Sequence, residues 1–541
     1  MADWHKDAVF YEVFVRAFGD SNGDGIGDLP GLVSRLDYIQ TLGVNVVWLL
    51  PITPSPWRDG GYDVSDFCGV HPDYGTLDDF RTLVAEAHRR DLRIVVELIA
   101  NHTSDQHPWF QASRDPRHPD HARYRDWYVW SPTDSRYAET RIIFRDTERS
   151  NWTYEPLRGE FYWHRFFHHQ PDLNYDHPAV QQAMLRVVQF WIDQGADGVR
   201  VDATPYLFER EGTNCENLPE THAFYKRLRA FVDAYAPDAM LLSEANQWPV
   251  DVRPYFGDGD EFHMNFNFPL MPRIFMALAQ GSREPIDWVL SQTPPLPAGC
   301  QWGTFLRNHD ELTLEMVTPE ERAMLWDYYA PEPRMRLNLG IRRRLAPLLG
   351  NDPRRIQVAH SILLTLIGSP FLYYGDEIGM GDNIELEDRD GVRTPMQWDD
   401  GPNAGFSTAP AGRLYAPVIA GSPYGYAEVN VAAQQGDPGS LLQWIRSALH
   451  LRRRHPAMGR GELRLLPLDN AAVLAYERRH ETGRLLFLNN LSSEPQLAMW
   501  DMEGGERLED LFGGAVLPRA SGQAYRCELP PYGYRWFRVA Q

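Results

Sequence analysis

Eight short apolar runs, alternating with amphipathic stretches, constrain the fold of this chain more than any other feature. They lie at residues 9–14, 44–50, 93–100, 198–201, 240–242, 264–268, 302–306 and 370–374. The second is apolar but for Asn45, the pattern of a strand buried on both faces of a parallel sheet. Between the runs, apolar residues recur at helical spacing, as in Leu77, Phe80, Leu83, Val84 and Ala87, or Val180, Met184, Leu185, Val188, Trp191 and Ile192. Strand–helix alternation predicts an α/β fold with a parallel sheet, and eight units predict a closed (β/α)8 TIM barrel.

The rhythm breaks from Thr103 to about Pro171, where aromatics, prolines and charges are dense. This segment, 103–172, reads as a domain inserted after the third strand, with the barrel made of 1–102 and 173–456. After Pro456 come short β segments with Gly and Pro turns, at 462–467, 473–477, 484–488 and 533–539. They predict a small C-terminal antiparallel β domain over 457–541.

Composition narrows the function. The net charge of −21 over 541 residues argues against a nucleic-acid partner or an anionic membrane surface, both of which call for a basic face. The beginning of the chain has no secretory signal pattern, and the apolar stretch 362–374 is too short to span a bilayer. Cys68, Cys215, Cys300 and Cys527 are scattered without a CxxC, so they read as reduced thiols in a cytoplasmic chain. No Walker A motif, dinucleotide fingerprint or HExxH is present.

In a barrel of this kind the chemistry sits at the carboxyl ends of the strands. Strand three ends in Asn101-His102, strand four in Arg200-Val201-Asp202, strand five in Glu244-Ala245-Asn246 and strand seven in Asn308-His309-Asp310. Asp and Asn make good helix caps, but four such ends exceed what capping needs. Three carboxylates around one mouth suit glycoside chemistry, in which one attacks the anomeric carbon while a protonated partner donates to the leaving oxygen.

The ordered set Asp59-Gly-Gly-Tyr62, Ala100-Asn101-His102, Gly198-Val-Arg200-Val-Asp202-Ala203, Glu244 and Asn308-His309-Asp310 resembles that of the α-amylase superfamily of retaining glycoside hydrolases and transglycosidases. The resemblance covers essentially the whole chain and implies roles. Asp202 would be the nucleophile, Glu244 the general acid/base and Asp310 the transition-state stabiliser. Arg200 would orient Asp202 and hold it ionised. His102 and His309 would bind sugar hydroxyls and Tyr62 would stack under the ring. Asp59 would pair with Arg393 to close the far end of the pocket. One position departs from the family: Glu97 stands where Asp is usual, in support of Arg200 and Asp202.

Longer segments resemble the trehalose synthase subgroup: 141–144, 161–174, 244–249, 308–315 and 375–382. The resemblance implies a disaccharide substrate and interconversion of maltose and trehalose through a covalent glucosyl-enzyme, with minor hydrolysis to glucose. Water must be kept out while the released glucose turns. Arg141 and Asn246 are the candidates for a lid that retains it. The alternatives are an exo-acting α-glucosidase or oligo-1,6-glucosidase, an amylosucrase- or sucrose isomerase-like transferase, and a non-catalytic sugar-binding or scaffold homologue. Association with a second copy of the chain or with a separate maltose kinase is compatible with the subgroup.

Two structural Ca2+ sites are expected. Residues 20–28 place Asp20, Asn22, Asp24 and Asp28 at alternate positions, with Gly25 at the sharp turn and Ile26 offering its carbonyl. Position twelve is Gly31, so this is no EF-hand; the loop resembles the calcium loop after the first strand of many superfamily members. A second site is implied by the subgroup alone: the side chains of Asn101, Asp172 and Glu209 with the carbonyls of Tyr206 and Leu207.

Overall fold

The structure, a computed structural model, describes residues 3–501, 507–517 and 524–540. Eight parallel strands close into a barrel: β1 (Phe10–Val13), β2 (Val46–Leu49), β3 (Arg93–Leu98), β4 (Gly198–Val201), β5 (Met240–Ser243), β6 (Met264–Phe266), β7 (Gln301–Phe305) and β8 (Ser369–Tyr373). Each falls on one of the eight runs read from the sequence. The ring closes where Phe10 of β1 sits in register with both Val46 of β2 and Phe371 of β8. β1, β2, β4, β5 and β8 are buried at every residue, which is why their sequences carry no polar alternation.

Aromatic rings fill the barrel. Trp48 of β2 meets Phe266 of β6 across the interior at 5.8 Å and Phe371 of β8 at 5.9 Å. These rings form the floor of the site, and Trp48 turns its polar edge upward: its indole Nε1 donates to Glu97 Oε2 at 2.7 Å. Surrounding helices are cut by local signals. Thr76 and Asp79 form a capping box at the start of helix Leu77–His88, and Pro178 begins helix Pro178–Asp193 at a position where its missing N–H costs nothing.

The segment after β3 holds helix Pro108–Arg114 and a small antiparallel sheet of Trp130–Ser131, Glu160–Trp163 and Trp152–Glu155, in that order. Isolated bridges His102–Asp172 and Tyr128–Leu173 tie it to the barrel rim. A second small sheet, absent from the sequence reading, lies between β7 and β8. It is built from Leu312–Thr313, Gly340–Ile341 and Arg336–Leu337, stretches too short to show a period.

The C-terminal sheets are richer than the four segments read from the sequence. A six-stranded sheet runs in the order Glu462–Leu465, Val473–His480, Gly483–Asn490, Tyr534–Ala540, Arg507–Asp510, Val516–Leu517, and Gln496–Trp500 pairs with Tyr525–Leu529. Tyr525–Leu529 alternates buried and exposed, and its outward Arg526 and Glu528 dilute the apolar signal. Among the described residues, no helix is long and apolar enough to cross a membrane.

Candidate active site

The site is organised by one guanidinium. Arg200 is only 1% exposed. Its Nη1 donates to Asp202 Oδ1 at 2.7 Å, and its Nη2 lies 2.7 Å from Glu244 Oε1. Nη1 also donates to Glu97 Oε1, because Glu97 and Arg200 are register partners on β3 and β4. Three carboxyl groups from adjacent strands thus share one planar cation. The Ala203 N–H donates to Glu244 Oε2 at 3.1 Å, from a residue at φ 51°, a left-handed conformation unusual for alanine. Asp202, Glu244 and Asp310 line one cavity with Tyr62, His102, Phe144, Phe166 and Phe268.

The three acids differ electrostatically. Burial, opposed by Arg200, pushes the Glu244 carboxyl up to about 8, and the negative charge of Asp202 adds to the rise. Burial lifts Asp202 less, to about 6. Burial also acts on Asp310, but His309, Arg389 and Arg393 overcome it and hold that carboxyl far below the usual range. His309 is itself kept neutral by burial, so the two guanidiniums carry most of that effect. Near neutral pH one acid is protonated and two are ionised, the division of labour a retaining glycosidase needs.

The far end of the pocket corrects the sequence expectation. Asp59 pairs with Arg389, whose Nη2 donates to Asp59 Oδ1 at 2.6 Å, and not with Arg393. Gln170 Nε2 donates to the other Asp59 oxygen at 2.7 Å. Arg393 lies four residues further along the same segment and turns to His309 and Asp310, donating to the His309 carbonyl at 2.9 Å and to Asp310 Oδ1 at 3.0 Å. Arg389 Nη1 reaches the same Asp310 oxygen at 3.0 Å. His102 Nε2 is buried without a hydrogen-bond partner among the described residues, and the ring lines the cavity, free to meet a hydroxyl.

The mouth brings the two lid candidates together. Arg141 Nη1 donates to Glu315 Oε2 at 2.9 Å and its Nε to Glu216 Oε1 at 2.8 Å. Asn246 Nδ2 reaches Thr313 Oγ1 at 3.3 Å and Glu315 Oε2 at 3.4 Å. Glu315, from the segment after β7, joins the inserted domain to the loop after β5.

The two candidate calcium sites differ. In the first, Asp20 accepts from the N–H groups of Asn22, Gly23 and Gly25 and from Ser407, while Asp28 accepts from Ser21 and caps a helix through Gly31. Asn22 accepts from Asp24 N–H and Asp24 from Ile26 N–H. Among the described residues no group of three or more His, Cys, Asp and Glu side chains gathers to hold a metal. In the second, Asn101 Oδ1, Asp172 Oδ2 and Glu209 Oε1 are all buried without a partner. Burial pushes Asp172 up to about 8 and Glu209 well above its usual range, and the nearby Arg165 guanidinium, which forms no ion pair with either, offsets only part of the rise. Hard oxygens left unpaired in this way fit a Ca2+ ion. Tyr206 and Leu207 follow directly on the turn after β4, at 0–8% exposure with the rest of that rim.

Residues 12–325 and 342–461 match the alpha amylase catalytic domain, and residues 463–536 the maltogenic amylase C-terminal domain. The chain belongs to the α-amylase family. It is 57% identical, over 99% of its length and 90% of the relative's, to a trehalose synthase/amylase of Mycobacterium tuberculosis. It is 54% identical to a trehalose synthase of a Pimelobacter species, over 99% of this chain and 96% of that one. A trehalose synthase of Thermus thermophilus is 52% identical over 99% of this chain, which spans 55% of that longer protein. Among solved structures, the trehalulose synthase MutB superposes with a TM-score of 0.79 at 29% identity, over 99% of this chain and all of that one. These relatives place the chain among the trehalose synthases.

Several site residues escaped the sequence reading. Arg389 stands four residues before Arg393, and two arginines at that spacing in one segment were the available signal. Glu12 is the penultimate residue of β1 and contacts His309 Nδ1 at 2.5 Å, yet it lies inside an apolar strand run with no motif around it. Glu315 and Gln170 fell within segments recognised whole, without a role for either.

Proposed function

We propose that the protein interconverts maltose and trehalose by intramolecular transglucosylation through a covalent glucosyl-enzyme, with a small leak to glucose. The observation that carries this reading is the gathering of Asp202, Glu244 and Asp310 on one cavity, the first two on a single guanidinium. Asp202, ionised and aligned by Arg200, attacks the anomeric carbon while Glu244 protonates the bridging oxygen. Asp310, held ionised by Arg389 and Arg393, stabilises the positive charge developing on the sugar ring. Tyr62 and His102 bind the glucosyl unit, and His309 braces Tyr62 from beside it. The Asp59–Arg389 pair blocks the far end, so one glucosyl unit enters.

The freed glucose stays in the pocket, turns, and returns its anomeric hydroxyl to the glucosyl-enzyme, with Glu244 now acting as base. Two inversions give net retention. The Arg141–Glu315–Asn246 connection supports the retaining lid, since holding the acceptor gives it an effective concentration that water cannot match. Ca2+ at Asn101, Asp172 and Glu209, with the Tyr206 and Leu207 carbonyls, would neutralise two buried carboxyls and fasten the inserted domain to the rim. For the loop at 20–28 the support is residue type and spacing. All four cysteines are unpaired in the structure, in keeping with a cytoplasmic setting.

Product analysis on maltose and on trehalose tests the reading. Each disaccharide is expected to give the other, with glucose as a minor product, and Asp202→Ala is expected to abolish both. Glucose as the sole product from maltose would overturn it in favour of an α-glucosidase.

A further inference from the structure

Beneath the sugar-binding face lies a continuous hydrogen-bonded chain that the reaction as described does not use. Glu12 Oε1, one residue before the end of β1, is 2.5 Å from His309 Nδ1. His309 Nε2 is 2.7 Å from the Tyr62 hydroxyl, and the two rings are nearly parallel, their planes 5° apart and their centroids 5.4 Å apart. The Tyr62 hydroxyl is 3.1 Å from Glu97 Oε1, and that oxygen accepts from Arg200 Nη1, which holds Asp202. All four groups are buried. A neutral imidazole has one N–H and one acceptor nitrogen, and a phenol has one proton. With His309 neutral, as its burial favours, the chain can be satisfied in either of two ways. Either Glu12 carries the proton and Glu97 is ionised, or Glu97 carries it and Glu12 is ionised.

We propose that Glu12, His309, Tyr62 and Glu97 form a proton wire that holds one mobile proton and sets the charge beside Arg200 and the nucleophile. Three hops convert one arrangement into the other. The Glu12 carboxyl proton passes to His309 Nδ1, the His309 Nε2 proton passes to the Tyr62 oxygen, and the Tyr62 hydroxyl proton passes to Glu97. His309 ends in its other tautomer and stays neutral, Tyr62 is unchanged, and one negative charge has moved from Glu97 to Glu12. With Glu97 ionised, it competes with Asp202 for the same guanidinium nitrogen. With Glu97 neutral, Arg200 is left to Asp202 and Glu244.

The surroundings leave both arrangements open. Trp48 Nε1 donates to Glu97 Oε2 and the His309 N–H donates to Glu12 Oε1 at 3.2 Å, so each end keeps a donor when ionised. Arg200, Asp202 and Glu244 face the Glu97 end from β4 and β5. Asp310 and Arg393 face His309 from the β7 end and from the segment after β8. Tyr373 of β8 stands near Glu12. Burial raises both glutamates, Glu97 to about 7, which brings the exchange into the working range. The reach to Tyr62 depends on glutamate at position 97: an aspartate there is one methylene shorter.

Glu12, His309 and Glu97 act through other groups and are positioning residues in this role. The test compares Glu12→Gln in the native and Tyr62→Phe backgrounds, following kcat/KM on maltose against pH. In the native background Glu12→Gln is expected to move the acid midpoint by about one pH unit, as expected for strongly interacting buried sites. In the Tyr62→Phe background it is expected to move it by none, because the wire is already cut. An equal shift in both backgrounds, or no shift in either, would overturn the proposal. A second measurement needs no substrate and so stands apart from the activity reading. Nitrogen-15 NMR of labelled histidine is expected to show both neutral tautomers of His309 populated in the native protein and one alone in Glu97→Asp. A single tautomer at every pH in the native protein would likewise overturn it.

Discussion

Arg200 shows how much one side chain can fix. A guanidinium presents donors in a rigid fork, and here the fork sets the relative placement of Asp202, Glu244 and Glu97 from three strands. Replacing Arg200 with Lys keeps the charge and loses the fork, so kcat is expected to fall at least about a hundredfold while folding is retained, checked by steady-state kinetics beside circular dichroism. Removing the nucleophile costs more: Asp202→Ala is expected to lose about 10⁴-fold or more in kcat/KM, about 5 kcal/mol of transition-state stabilisation. The protonation states give a pH profile. Activity needs Asp202 ionised and Glu244 protonated, so it falls below about 6 as Asp202 takes up a proton and above about 8 as Glu244 loses one. A bell-shaped kcat/KM profile between those limits is expected, and a rate still rising at pH 9 would exclude Glu244 as the acid.

At the scale of elements, the rim after β3 and β4 carries a cost that the structure makes visible. Asp172 and Glu209 are buried and in no ion pair among the described residues, Arg165 offsets the burial only in part, and both carboxyls are raised above their unfolded values. A raised carboxyl favours the native state at low pH and loses that stabilisation as pH climbs through its native value, here about 8 for Asp172. A bound Ca2+ would reverse that penalty. Chelation is therefore expected to lower Tm more at pH 8 than at pH 5, and Glu209→Gln should reduce the difference; equal shifts at both pH values would remove the calcium assignment at this rim. The strands of the barrel were legible because burial leaves short, mainly apolar runs, broken only where a side chain such as Glu12, Glu97 or Arg200 serves the site. The sheet over the mouth, built from two-residue strands at Leu312–Thr313, Arg336–Leu337 and Gly340–Ile341, carries no period to read. The same limit separated Arg393 from Arg389. Arg393 stands in a motif and Arg389 does not, yet the path of the folded segment brings the Arg389 guanidinium to Asp59.

Over the whole molecule, the inserted domain, the barrel and the small sheet after β7 meet at Glu315, contacted by Arg141 from one side and Asn246 from the other. On the proposed function, that junction governs the choice between isomerisation and hydrolysis. Glu315→Ala is expected to raise the share of glucose among the products severalfold, because a pocket that opens more often admits water and releases the acceptor. The central claim is that the glucose freed in the first half of the reaction is the acceptor in the second. The most direct test is to convert unlabelled maltose in a large excess of carbon-13 glucose and weigh the trehalose formed by mass spectrometry. Trehalose that is almost wholly unlabelled is expected, and trehalose labelled in proportion to the surrounding glucose would show that the acceptor comes from solution.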